Sequence, residues 1–222
     1  MLANSGISPG SLRSPAVLDI PLVTGLLLAL NVAISMYAFG EFKAGRASER
    51  FLFEPARVMR GENLQGLVLS NFSHADGGHL TFNMFTLFFF GPLVEAQLGP
   101  AGMLGVYLAS AVGSTLLTLE CHKKDPDYRA LGASGAISGI LFAAIVLVPT
   151  MGVSLILIPF AIPAPIFAVL YIGGSIMASK QRLGNIGHEA HIGGAVTGFI
   201  VAALLLPEGL GRLFSALRGL VS

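Results

Sequence analysis

Residues 132–149 read GASGAISGILFAAIVLVP, an apolar run without a single charged side chain. Its length is close to the roughly 20 residues that cross the hydrocarbon core of a bilayer as a helix. Five further windows of similar character lie along the chain, each bounded by charge, glycine or proline: 17–39, 79–98, 100–119, 153–179 and 188–206. The sequence therefore predicts an all-α integral membrane protein whose six transmembrane helices form one bundle.

The composition of the whole chain agrees with a membrane protein. Of its 222 residues, 54% are apolar and 11% are charged, whereas an ordinary soluble domain carries about 25% charged residues. The net charge is only +1, and no run of Lys or Arg forms the basic face that a nucleic acid requires. We therefore expect the lipid bilayer to surround the chain and no nucleic acid to bind it.

The windows divide the chain into three parts. We predict a short N-terminal tail over 1–16, a six-helix domain over 17–206 and an interfacial C-terminal tail over 207–222. The only long connection inside the domain is the loop 40–78, which mixes Arg and Glu side chains with a short apolar stretch. This mixture is typical of a loop that lies at the membrane surface.

The fifth window, 153–179, contains Pro159, Pro163 and Pro165. An interior proline removes a backbone hydrogen bond and kinks a helix. We therefore expect the fifth helix to be bent or loosely held.

Few polar side chains lie inside the predicted spans, and these are candidates for function because an unpaired polar group in hydrocarbon is costly. His79 and Asn83 open the second helix, Ser134 lies at the start of the fourth and His191 at the start of the sixth. One span separates the second helix from the fourth and the fourth from the sixth, so all three run parallel and begin at the same membrane face. The four side chains are therefore expected at one depth on one side of the bundle.

These four residues are the types that acyl transfer needs. A serine hydroxyl becomes a nucleophile when a neighbouring base, most often histidine, takes its proton. Ser134 and His191 can form such a dyad, while the Asn83 amide, the His79 ring and the Ser134 backbone N–H can donate to a developing oxyanion. No carboxylate lies in the middle of a span, so a dyad is predicted rather than a triad. This chemistry requires no metal and no other cofactor.

Glycines accompany the candidate residues. Gly132 and Gly135 flank Ser134, and Gly194 follows His191. Small residues let membrane helices approach closely. We expect this close approach to bring Ser134 to His191, although the glycines taken alone would favour ordinary helix packing.

Four motifs carry a family resemblance over roughly 57–200. They are His74-x4-His79-x3-Asn83, Glu95-x3-Gly99, Gly132-Ala133-Ser134-Gly135 and Ala190-His191-x2-Gly194. In this order and spacing the chain resembles the rhomboid family of intramembrane serine proteases. The resemblance implies Ser134 as nucleophile, His191 as base and an oxyanion site near His79 and Asn83. It also implies substrates that are transmembrane helices of membrane proteins.

Two positions depart from the family pattern. Gln65-Gly66 stand where many relatives have Trp-Arg, and Ser138 stands where several relatives carry a Tyr that stacks on the base. We therefore expect a differently anchored first loop and a base that is held less firmly.

The resemblance also implies a bacterial inner membrane with the active site facing the periplasm and both termini in the cytoplasm. The charge distribution favours the opposite orientation. Ten Lys and Arg residues lie in the loops on the active face and only three near the termini, whereas cytoplasmic segments normally carry the excess. The family orientation is the one we expect.

Three alternatives compete with a serine protease. A metalloprotease is suggested by His188-Glu189-Ala190-His191, but its histidines are three residues apart rather than the four of the zinc motif. A catalytically inactive rhomboid-like protein that binds transmembrane clients is disfavoured because Ser134 and His191 are both present. A transporter is disfavoured because neither a midplane site nor a repeat is evident.

Overall fold

The computed structural model describes residues 20–45, 48–154, 160–180, 187–206 and 208–219, and these are mostly helical. The helices are α1 (Leu22–Lys43), α2 (Pro55–Val58), α3 (Gly66–Leu69), α4 (Gly77–His122), α5 (Ser134–Leu147), α6 (Ala164–Lys180), α7 (His188–Leu205) and α8 (Glu208–Gly219), with a 3-10 helix at Ser48–Phe51. Two-residue strands β1 (Gly152–Val153) and β2 (Ile162–Pro163) pair antiparallel before α6. The predicted tail 1–16 lies outside the described residues.

Three of the described helices, α1, α4 and α7, are long and apolar enough to cross a membrane. Helix α4 is interrupted at Gly99, whose φ of 70° and ψ of 174° are accessible essentially to glycine alone. The interruption divides α4 into the segments 77–98 and 100–122, close to the two predicted windows. Helices α5 and α6 are shorter apolar helices. The prediction of a helical membrane protein is confirmed, and the count of six spans stays a prediction.

Helix α6 begins later than the fifth window predicted. Pro163 lies in β2, and Pro165 lies in the first turn of α6, where a proline is tolerated because its missing N–H has no helical acceptor. The prediction of a helix bent by these two interior prolines was therefore wrong. Pro159 lies outside the described residues.

Helix α5 is the centre of the bundle. Every residue from Gly135 to Leu147 is buried, as expected for a helix that protein surrounds on all sides. Helices α4 and α7 pack against α5 and against each other. A Cβ atom on Gly194 of α7 would overlap the carbonyl oxygen of Gly135, and one on Gly198 would overlap that of Gly139. Helices α5 and α7 therefore touch backbone to backbone.

The second half of α4 completes this close packing. The buried side chain of Ser114 lies against Gly135, and that of Ser110 lies against Gly139. A Cβ on either glycine would overlap the serine hydroxyl. Three helices thus meet at two levels that are four residues, or about one turn, apart.

The loop between α1 and α4 packs on the segment that leads into α5. Phe53 and Ala130 exchange two backbone hydrogen bonds, of 2.8 and 3.0 Å, and the Gly132 amide donates to the Ser70 carbonyl at 2.9 Å. These bonds attach the loop directly to the residues that precede Ser134.

A buried carboxylate anchors the same loop. Glu54 is 4% exposed and accepts hydrogen bonds from Arg57 at 2.8 Å, Asn63 at 3.0 Å and Arg129 at 3.2 Å. A Cβ on Gly66 would overlap the Leu52 carbonyl oxygen, so the glycine permits close contact there. The contacts of Glu54 and Gly66 thus hold the loop in place, although it lacks the Trp-Arg pair of many relatives.

Helix α8 packs on the end of the bundle that lies opposite Ser134. Gly209 contacts Val146, and the Arg212 guanidinium donates to the Leu147 carbonyl at the C-terminus of α5, at 3.5 Å. Phe214 is exposed on the same helix. The interfacial position of the tail 207–222 stays a prediction, since it concerns a membrane surface.

Candidate functional site

Ser134 and His191 lie within hydrogen-bond distance of each other. Ser134 is the first residue of α5, and His191 lies in the first turn of α7. The His191 Nε2 atom is 2.9 Å from the Ser134 Oγ atom. The backbone contact between Gly135 and Gly194 lies immediately beside the pair. At this distance an imidazole can take the proton of a serine hydroxyl.

His79 lies beside the same serine, across Gly132. A Cβ on Gly132 would lie 2.7 Å from Cε1 of the His79 ring and 3.5 Å from the Ser134 Oγ atom. Gly132 also has a φ of 141°, which side-chain-bearing residues rarely adopt. Both the space and the backbone conformation therefore require glycine where the chain enters α5.

Asn83 lies one turn after His79 on α4 and is 6% exposed. Its amide nitrogen Nδ2 has no hydrogen-bond partner among the described residues. A buried donor without an acceptor is costly, so such groups are rare and call for an explanation. An acceptor that arrives with a ligand would satisfy this amide.

The start of α4 fixes the position of His79. Asp76 caps the helix, since its Oδ1 accepts from the His79 backbone N–H at 2.8 Å. The His74 ring lies edge-on to the His79 ring with centroids 5.1 Å apart. His74 is fully buried, and its Nδ1 lies 2.7 Å from the Ser35 Oγ atom of α1. Burial lowers the pKa of His74 to about 4, so this ring is neutral near pH 7.

Sequence reasoning missed Tyr171 of α6. Its hydroxyl lies 2.6 Å from the Ser138 Oγ atom, and its ring centroid lies 6.2 Å from that of His191. Ser138 in turn donates to the Ser134 carbonyl at 2.7 Å. The available signal was that Tyr171 is the only tyrosine in an otherwise apolar window.

The carboxylate of the His188-Glu189-Ala190-His191 segment contacts residues outside the Ser134–His191 pair. Glu189 accepts a hydrogen bond from Ser179 at the end of α6 and lies 3.5 Å from the His122 ring. The described residues contain no group of three His, Cys, Asp or Glu side chains that could hold a metal ion. The absence of a metal from the chemistry stays a prediction.

Comparisons with known proteins agree with the motifs. The model of the Rhomboid domain matches residues 61–208. RHOMBOID-like protein 12, mitochondrial, of Arabidopsis thaliana is 35% identical over 63% of this chain and 46% of its own length. Presenilin-associated rhomboid-like protein, mitochondrial, of Bos taurus is 32% identical over 60% of this chain and 36% of its own length. Rhomboid-like protein 11, chloroplastic, of Arabidopsis thaliana is 34% identical over 62% and 51%. The chain thus spans about half or less of the length of these relatives.

The prediction of a bacterial inner membrane with a periplasmic active site was wrong. The relatives that the chain matches are named mitochondrial or chloroplastic instead. Apolar windows and Lys/Arg counts report insertion into a bilayer, and they carry no signal that distinguishes one membrane from another.

The domain match covers well over half of the chain, and it includes the segments that bring Ser134, His191 and His79 together. The resemblance read from the four motifs is confirmed: this chain belongs to the rhomboid family.

Proposed function

We propose that this chain is an intramembrane serine endopeptidase that cleaves transmembrane helices of membrane proteins, with Ser134 as nucleophile and His191 as base. Membership of the rhomboid family supports an intramembrane protease-type function. The observation that carries the assignment of residues is the 2.9 Å distance between the Ser134 Oγ and His191 Nε2 atoms.

In the first half of the proposed reaction, the Ser134 Oγ atom attacks the carbonyl carbon of the scissile peptide bond while its proton moves to His191 Nε2. The resulting tetrahedral intermediate carries a negative oxygen. His191 then gives the proton to the departing nitrogen, the C–N bond breaks, and an acyl ester remains on Ser134.

In the second half, His191 takes a proton from a water molecule, whose oxygen attacks the ester carbonyl. The second tetrahedral intermediate collapses, and the proton on His191 returns to the Ser134 Oγ atom. The products are a new carboxyl group and a new amino group within the substrate chain, and the enzyme regains its starting protonation state.

Three donors support an oxyanion site beside the nucleophile. The Asn83 amide is buried without a partner among the described residues, and the His79 ring lies next to Ser134 across Gly132. Because Ser134 is the first residue of α5, its backbone N–H is one of those that a helix leaves without an internal acceptor. Donors placed in advance in this way stabilise developing charge with little reorganisation.

The location of the proposed site fits a cut near one membrane face. His79, Ser134 and His191 each lie within the first turn of their helix, and these helix starts meet at one end of the bundle. The mitochondrial and chloroplastic names of the relatives support an organellar membrane as the place of action.

The test is cleavage of a model transmembrane substrate by the full chain, purified and reconstituted in liposomes. We expect the wild-type protein to cut, Ser134→Ala and His191→Ala to be inactive, and the control Ser215→Ala, at an exposed position on α8, to cut normally. Cleavage that survives Ser134→Ala would disprove the serine mechanism. A wild-type protein that binds the helix without cutting it would instead indicate a client-binding rhomboid-like protein.

A further inference from the structure

The Tyr171 hydroxyl on α6 lies beside Ser138, which hydrogen-bonds to the Ser134 carbonyl, and the Tyr171 ring lies beside His191. Tyr171 is therefore linked to both residues of the proposed dyad. We propose that Tyr171 is a positioning residue, which holds the His191 imidazole in register with Ser134, and that Ser138 fixes the Tyr171 ring. This inference rests on the proposed protease function and adds to it a role for a third helix.

The direction of the hydrogen bonds follows from counting protons. Ser138 has one hydroxyl proton, which it donates to the Ser134 carbonyl at 2.7 Å. The Tyr171 hydroxyl, 2.6 Å from the Ser138 Oγ atom, must therefore be the donor in that bond. A chain of two bonds thus runs from the Tyr171 hydroxyl through Ser138 to the backbone of the proposed nucleophile.

Aromatic neighbours hold the Tyr171 ring from the other side. Its centroid lies 5.5 Å from that of Phe142 on α5 and 5.8 Å from that of Phe167 on α6. Both phenylalanines are buried. The ring is therefore restrained along its length by packing and at its tip by the bond to Ser138.

The restrained ring contacts the imidazole of His191. The two centroids are 6.2 Å apart and the planes are inclined by 33°, a separation within the range of about 4.5–7 Å at which aromatic pairs attract. The His188 ring also meets the His191 ring, edge-on, with centroids 6.2 Å apart and planes inclined by 87°. Because the proposed dyad assigns no carboxylate to the imidazole, packing of this kind must orient it.

The small side chain of Ser138 leaves room on α5 for the Tyr171 side chain of α6. The Tyr171 hydroxyl lies at hydrogen-bond distance from the Ser138 Oγ atom and occupies this space. The aromatic ring beside the base thus comes from a different helix than the family pattern led us to expect, and Ser138 is its hydrogen-bond partner.

The experiment measures kcat and KM for the model substrate, together with the rate at which a fluorophosphonate labels Ser134. The variants are Tyr171→Phe, Tyr171→Leu, Ser138→Ala and the double variant of Tyr171→Phe with Ser138→Ala. The control Leu170→Ala truncates the neighbouring exposed residue of α6. Thermal unfolding in the same detergent checks that each variant is folded.

Loss of the ring in Tyr171→Leu is expected to lower kcat and the labelling rate about tenfold, with KM within about twofold of wild type. Tyr171→Phe keeps the ring and should recover most of the rate, with a loss of about threefold. Ser138→Ala removes this bond and also the bond to the Ser134 carbonyl, so its loss should be at least as large. The double variant should be no slower than Ser138→Ala alone, because the bond lost in Tyr171→Phe is already absent there.

Equal kcat values for Tyr171→Leu and Leu170→Ala would overturn the positioning role. A rate loss in the double variant equal to the product of the two single losses would overturn the link through Ser138. This comparison does not depend on Tyr171→Leu, so it holds even if that variant fails to fold. A wild-type protein that the fluorophosphonate does not label at Ser134 would refute the proposed function itself, and the positioning role with it.

Discussion

The carboxylate of Glu95, on the first half of α4, accepts hydrogen bonds from both the backbone amide and the hydroxyl of Thr24 at the start of α1, each at 2.8 Å. A third bond, of 3.0 Å, comes from the Val23 amide. The first amides of a helix have no internal acceptor and carry positive partial charge, so a buried carboxylate is stabilised there. Glu95 thus attaches α1 to the rest of the bundle.

We expect Glu95→Ala to destabilise the protein by about 1–3 kcal/mol, because it leaves the buried amide and hydroxyl of Thr24 and the partly buried Val23 amide without an acceptor. Thermal or denaturant unfolding in detergent measures this. The matched control is Thr24→Ser, which keeps both hydrogen bonds and should change little. Equal stability of Glu95→Ala and wild type would contradict the capping role.

Gly194→Ala is expected to lower both stability and activity strongly. The new Cβ would overlap the Gly135 carbonyl oxygen, so α7 must move away from α5 and carry His191 away from Ser134. Overpacking of this kind typically costs about 1–3 kcal/mol, and cleavage assays should show a larger loss than the unfolding data.

Gly173→Ala on α6 is the control for this prediction, because no atom lies within 4 Å of the added Cβ. It should leave activity unchanged and slightly raise stability, since alanine favours helix over glycine by up to about 1 kcal/mol. Similar losses in the two variants would indicate that the effect reflects glycine content rather than the contact between α5 and α7.

Asn83→Ala tests the proposed oxyanion site. Removal of one such donor elsewhere lowers kcat by about 10²–10³-fold, and we expect a loss of this order with little change in KM. Steady-state cleavage kinetics measure both constants. Thr81→Ala, at an exposed position on the same helix, should behave as wild type. A loss confined to KM would assign Asn83 to substrate binding instead.

Stability should fall on acidification through the titration of His74. The pKa of this buried ring is about 4 in the fold and 6.5 in its ordinary state, so between these values the unfolded chain binds a proton that the folded protein excludes. The free energy of unfolding therefore decreases as the pH falls from about 6.5 to about 4, by up to roughly 3 kcal/mol. Above pH 6.5 this contribution is constant.

His74→Gln isolates this effect, because glutamine keeps a hydrogen-bonding group near Ser35 but does not titrate. Unfolding experiments between pH 7 and pH 4 should show a flatter dependence for the variant than for wild type. An unchanged slope would mean that other groups cause the acid sensitivity.

Much of this architecture could be predicted from the sequence because hydrocarbon imposes a simple rule. Backbone N–H and C=O groups in a bilayer must hydrogen-bond within the protein, so an apolar window of sufficient length indicates a helix. A polar residue inside such a window is costly and is therefore a candidate for function. This rule identified Ser134 and His191, which the structure brings to 2.9 Å. The glycine at position 99 separated two predicted windows, and α4 is interrupted there because Gly99 adopts a backbone conformation accessible essentially to glycine alone.

The features that could not be predicted depend on contacts between helices. The fifth window looked continuous, but α6 begins only at Ala164, since composition alone does not separate a strand pair from a helix in an apolar run. Tyr171 likewise had no sequence signal that linked it to His191. The role of Glu54 depends on Asn63 and Arg129, one of which is distant in sequence.

The glycine contacts between α5 and α7 mean that main-chain atoms, rather than side-chain lengths, set the spacing of Ser134 and His191. Main-chain positions in a helix do not change with rotamer state, and two contacts one turn apart, at Gly135 and Gly139, resist both sliding and tilting. Rotamer changes on the outer surfaces of the bundle therefore leave this backbone contact between α5 and α7, and with it the spacing of the two helix starts, unchanged.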